Sequence, residues 1–239
     1  MPTTYAGSEM TPILGETKDG VKTTQRGPSI LPEVVVYDVE LTLSLPLALS
    51  VTSGINAVAH AVEALYAQDR NPIVSLMAEE AVAKMSAALP RIVANPGDVE
   101  ARSDALYAAW LCGTCLGAVG MALHHKLCHV LGGAFDLPHA ETHTIVLPHA
   151  LAYNASAALP AVAALSRSLH DDDPAGALYG LAGRLGAPRA LRDLGMPEEG
   201  IDRAVELALD NPYWNPRPIE REGIRALISR AWAGEKPQE

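Results

Sequence analysis

The chain has 239 residues, 49% of them hydrophobic, and a formal net charge of −10, which gives it the length and apolar content for a sizeable buried core. The acidic balance, with no cluster of Lys or Arg, argues against a nucleic-acid groove or an anionic membrane surface, since either needs clustered cations to displace counterions. No run nears the roughly 20 apolar residues of a membrane span, and MPTTYAGSEM is not a charged segment leading into an apolar one, so the expected compartment is the cytoplasm.

Residues 1–40 differ from the rest. Gly7, Gly20 and Gly27, with Thr-rich sequence between the last two, read as loops and a short hairpin, and Glu33 to Asp38 (EVVVYD) reads as a strand buried on both faces. The chain offers that strand few partners, so a missing segment or a second chain is expected to cover it.

From Leu43 onward the pattern is helical and rich in Ala, the best helix former. Ser53 is the expected N-cap of a helix through Ala67, with Asn56, His60 and Glu63 on its polar side; Glu63 reads as a solvated helix position. Asn71-Pro72 starts a helix to about Leu89, closed by Pro90 and the Asn95-Pro96-Gly97 turn. Asp98 caps a long apolar helix to about residue 120 that contains Cys112 and Cys115, a CxxC pair whose neighbours make it core rather than redox or metal chemistry.

The stretch from His124 to His149 holds six of the eight histidines. His125 and His129, four apart, share a helix face with His124 and Lys126 beside them, and Gly132 and Gly133 are read as the end of that helix. Pro138 turns the chain so that His139 opens the next helix close by, with His143 and His149 following at helical spacings. Beyond Asn154 come an Ala-rich helix ending near a solvent-facing His170, an acidic turn before Pro174 and a helix to about Leu185. Three further helices are expected at 188–195, 197–210 and 218–233. His60, His125, His129 and His139 thus converge from three segments. Imidazoles so placed suit a divalent metal, a proton-transfer site, or plain hydrogen-bonded core positions.

The motifs PTTYAGSEMT, LPEVVVYD, SGINAVAHAVEALYA, GMALHHKLCHVLGGAFDLPHAETHTIVLPHALAYN and NPRP span essentially the whole chain. They resemble the maleylacetate reductase branch of the iron-containing alcohol dehydrogenase family. The resemblance implies a mainly α fold: a β/loop remnant of a nucleotide-binding domain at 1–40 and an all-helical catalytic domain of the dehydroquinate-synthase-like fold at 41–239. It also implies NADH- or NADPH-dependent reduction of maleylacetate to 3-oxoadipate in aromatic-compound degradation.

The family's metal positions fall on Asn56, His60, His125 and His139. Metal-binding members carry Asp at the first of these. Neutral Asn removes an anionic ligand, as in the maleylacetate reductase branch, and leaves open a metal-free pocket in which His60, His125, His139 and Lys126 hold a dicarboxylate. His129 matches the family histidine beside the nicotinamide, a proton relay, and Thr3 and Thr4 match positions that approach the cofactor. The sequence has no G-x-G-x-x-G turn, so the cofactor-binding half is expected from additional sequence or another chain. The expected partners are a small anionic substrate and either further copies of the chain or a chain covering the N-terminal strand. Two other readings stay open: cofactor-free acid/base catalysis in the histidine pocket, and a non-catalytic assembly protein pairing through its sheet rim.

Overall fold

The structure is a computed structural model that describes residues 1–18 and 21–239, with the side chains of 15–24 outside that description. The N-terminal part holds a β-hairpin, β1 (Ile13–Lys18) antiparallel to β2 (Val21–Arg26), in the register Ile13 opposite Arg26. The expected hairpin is therefore present, while the expected turn residue Gly20 lies outside the described residues. The expected strand at Glu33 to Asp38 is absent: the backbone there forms no ladder, and Val34 and Val36 are 79% and 51% exposed. Among the described residues the only ladder is the local hairpin, so an apolar run that would be a central strand with neighbours has none to pair with.

Nine α-helices follow in the described residues: α1 (Leu47–Tyr66), α2 (Pro72–Ala94), α3 (Val99–Ala118), α4 (Leu123–Phe135), α5 (His139–Asn154), α6 (Leu159–Leu169), α7 (Pro174–Arg184), α8 (Gly200–Leu209) and α9 (Arg221–Ala233). The mainly α expectation holds, and several boundaries differ for identifiable reasons. α1 begins at Leu47, so Ser53 is interior; its hydroxyl donates to the Leu49 carbonyl (2.6 Å) and accepts the Tyr5 N–H (3.3 Å). Pro90 sits on an exposed position inside α2 without ending it. Gly132 and Gly133 lie within α4, which stops two residues later where Asp136 adopts a left-handed conformation (φ 52°). The expected helix at 188–195 is only a 3-10 turn, Leu191–Leu194. Asn71 and Asp98 cap α2 and α3 as expected, accepting the Val74 and Ala101 N–H groups at 3.0 and 2.9 Å.

α1 is buried without interruption from Ser50 to Tyr66, the signature of a helix enclosed on all sides. It packs with α2, α3 and α6 in one apolar cluster, while α4, α8 and α9 build a second. α5 serves both: Leu147 and Leu151 face the first, Ile145, Val146 and Ala150 the second. The polar face of α1 therefore meets α4 and α5 where the two clusters join. The N-terminal segment is pinned to this body by Tyr5, which is fully buried and receives a hydrogen bond from the equally buried Arg102 (3.0 Å), and by Gly7, whose backbone (φ 77°) lies against Gly113 of α3. No single helix among the described residues is long and apolar enough to cross a membrane. α3 and α4 qualify together only as a pair bent by 94°.

Candidate functional site

Glu63 is the foundation of the site. It is 0% exposed, not solvated as its sequence position suggested, and its carboxylate accepts the backbone N–H of Ala122 (2.8 Å) and of His124 (2.7 Å). α4 has no side-chain cap of its own, so a carboxylate from α1 satisfies the donors at its N-terminus and complements its dipole. The same carboxylate receives the His125 Nδ1–H at 2.7 Å. A carboxylate accepts, so the contact orients the His125 ring with Nδ1 towards Glu63 and Nε2 towards α1. That nitrogen lies 2.9 Å from His60 Nδ1, and His60 Nε2 lies 3.2 Å from the Ala6 carbonyl. Burial, then the neighbouring His125, holds the His60 imidazole well below its ordinary pKa.

His124 and His143 form a second buried pair, Nε2 to Nδ1 at 3.0 Å, with the Cys128 thiol beside His124. Burial drives both imidazoles well below their ordinary range and pushes the Cys128 thiol up. The two pairs adjoin: the His143 ring lies 5.1 Å from that of His125 and 6.4 Å from that of His60.

His129 and His139 are exposed at the rim. His129 sits 6.3 Å from the His125 ring, as the four-residue spacing requires, and its Nδ1 is 3.0 Å from the Tyr213 hydroxyl. His139 packs its ring on His143 at 4.2 Å. Lys126 reaches from α4 to the Asp210 carbonyl (2.7 Å) and lies over the Tyr213 ring. The loop after α8 is held in turn by a reciprocal amide pair, Asn154 with Asn215. Thr3 is exposed and Thr4 half-buried, both in the segment that leads to Tyr5. Sequence reasoning thus located His60, His125, His129 and His139 around one place. It missed the weight of Glu63, for which the i+3 spacing from His60 was the available signal, and the partnership of His124 with His143. Tyr213, in an irregular loop, left no signal.

A metal at the family's positions is a poor match to these donors. Asn56 is neutral and its buried Oδ1 has no hydrogen-bond partner. The one set of three His, Cys, Asp or Glu donors gathered within 4.8 Å among the described residues is His124, Cys128 and His143, not His60, His125 and His139. What the arrangement offers instead is an oriented imidazole pair backed by a buried carboxylate, with the exposed His129 and His139 and the half-buried Lys126 alongside.

Residues 50–232 match the C-terminal domain of the Fe-containing alcohol dehydrogenase family. The maleylacetate reductase of Rhizobium sp. strain MTP-10005 is 59% identical over 238 residues, covering 100% of this chain and 68% of that protein. The crystal structure of maleylacetate reductase from Agrobacterium tumefaciens superposes with a TM-score of 0.96 at 59% identity, over 99% of this chain and 67% of that one. A more distant neighbour, sulfoacetaldehyde reductase from Bifidobacterium kashiwanohense solved in complex with NAD+, has a TM-score of 0.88 at 26% identity, over 97% of this chain and 64% of that one. These relatives are oxidoreductases, and the likeness runs through every element that builds the imidazole site. The chain belongs to the Fe-containing alcohol dehydrogenase family and is an oxidoreductase of that family.

Proposed function

We propose that this chain supplies the catalytic half of a reductase that converts maleylacetate to 3-oxoadipate at the expense of NADH or NADPH. The observation that carries the reading is the His60–His125 pair anchored on Glu63, in a chain that aligns along its whole length with maleylacetate reductases. Substrate and product differ by two hydrogens across a carbon–carbon double bond. One arrives as hydride from the nicotinamide and one as a proton on the neighbouring carbon. His60, His125, His139 and Lys126 line the pocket for the two carboxylates. The rim imidazole of His129, oriented by Tyr213, delivers the proton. Thr3 and Thr4 stand on the cofactor side.

The relatives extend well beyond the part this chain matches. A nucleotide-binding segment, in the same polypeptide or in a second chain, completes the site and covers the exposed Val34 and Val36. The site chemistry fits the cytoplasm, where the three cysteines stay as the free thiols seen here. The test is calorimetric titration of NADH and NADPH into the chain, alone and joined to a nucleotide-binding half. Maleylacetate-dependent loss of NAD(P)H absorbance is then followed in both preparations. Turnover with the completed site supports the reading; cofactor binding there without oxidation by maleylacetate overturns it.

A further inference from the structure

We propose that His124, Cys128 and His143 form a binding site for a thiophilic divalent cation of the zinc class, separate from the family's metal positions. The inference does not depend on which substrate the enzyme reduces. His124 and Cys128 stand four residues apart on one face of α4, and His143 approaches from the first turns of α5. All three are buried, and their donor atoms lie within 4.8 Å of one another.

Two of the three separations are close to those of a metal's coordination shell, and the third lies within 4.8 Å. Metal–nitrogen bonds of about 2.0–2.1 Å and a metal–sulfur bond of about 2.3 Å, set tetrahedrally, place two nitrogens about 3.3 Å apart and nitrogen and sulfur about 3.6 Å apart. Here His124 Nε2 is 3.0 Å from His143 Nδ1 and 3.7 Å from Cys128 Sγ. Two imidazoles and a thiolate are a borderline-to-soft set that selects zinc-like ions over magnesium or calcium.

Without a cation the cluster is sparsely hydrogen-bonded. With one proton on each ring, the two imidazoles share a single hydrogen bond while the thiol touches only the edge of His124. A cation would take the His124 and His143 lone pairs and the Cys128 sulfur together, releasing the thiol proton to solvent. The exposed His139 ring lies 4.2 Å from that of His143, tilted by 46°. Three protein donors leave a fourth position for water.

The discriminating feature is sulfur, which none of Asn56, His60, His125 and His139 carries. The chelator-stripped full chain is titrated with Co2+ alone, then with Zn2+. The expected result is one equivalent of tetrahedral cobalt with an intense thiolate-to-cobalt charge-transfer band in the near ultraviolet, bleached by zinc. Cys128→Ser abolishes the band. It persists in Cys112→Ser, in Cys115→Ser and in His60→Ala. Absence of the band in the unaltered chain, its survival in Cys128→Ser or its loss in His60→Ala each overturns the proposal. Should Cys128→Ser fail to fold, X-ray absorption of the zinc-loaded unaltered chain decides. One sulfur with imidazole nitrogens supports the site, and a shell without sulfur overturns it.

Discussion

Glu63 and His125, 62 positions apart, meet at 2.7 Å in the fully buried join between α1 and α4. One carboxylate thereby orients the His125 ring and starts the helix that carries it. Glu63→Ala leaves the donors of Ala122, His124 and His125 without their acceptor, an expected loss of about 3 kcal/mol or more in urea unfolding. Glu63→Gln keeps an acceptor of the same shape and is expected to retain part of that stability while lowering turnover. Equal losses for the two variants would show that the charge, not the acceptor geometry, carries the effect.

His129 offers the opposite combination. It is exposed, so His129→Ala is expected to change stability by no more than about 0.5 kcal/mol. If the imidazole delivers the proton, turnover in the completed reductase falls by about 10²–10⁴-fold with KM little altered. Tyr213→Phe removes the hydroxyl that orients it and is expected to give a smaller fall in the same parameter. A kcat unchanged in His129→Ala removes that residue from the proton path.

The seam between Gly7 and Gly113 tests how the N-terminal segment is held. A Cβ built on Gly113 falls 2.2 Å from the Gly7 carbonyl oxygen, a backbone atom that cannot swing aside. Gly113→Ala is expected to cost about 1–3 kcal/mol and to raise hydrogen exchange at residues 5–11 before the rest of the chain. Exchange that rises uniformly instead would show that the segment and the helical body unfold as one.

Acid stability has a defined sign. Burial, then Arg230, lowers the His149 pKa to about 4, against about 6.5 in an unfolded chain. Between these values the unfolded state binds the proton and the native state does not, so stability falls as pH drops from about 6.5 towards 4, by on the order of 3 kcal/mol from this residue. His60, His124 and His143 shift in the same direction and steepen the loss. Urea midpoints measured from pH 7 down to pH 4.5 are expected to decline, and less so in His149→Gln. A decline of equal slope in that variant would assign the effect to the other three.

The helices were legible in the sequence because their signals are local: Asn71 and Asp98 as caps, Ala-rich periodic runs, and Pro138 before His139. The imidazole constellation was legible for the same reason, since i, i+4 spacing puts His125 and His129 on one face wherever the helix lies. The sequence could not show that EVVVYD would go unpaired, because a strand is defined by its neighbours and the run looks identical with or without them. Nor could it show that Glu63 is buried. A carboxylate one turn from His60 reads as surface until α4 arrives from 60 residues away and brings three donors to it. What the chain determines by itself is which faces are polar and where helices begin. Which polar face becomes the site was decided only by the tertiary packing, through the meeting of α1, α4 and α5 at the join of two apolar clusters. There an unmet buried donor is costly, and Glu63 meets three of them.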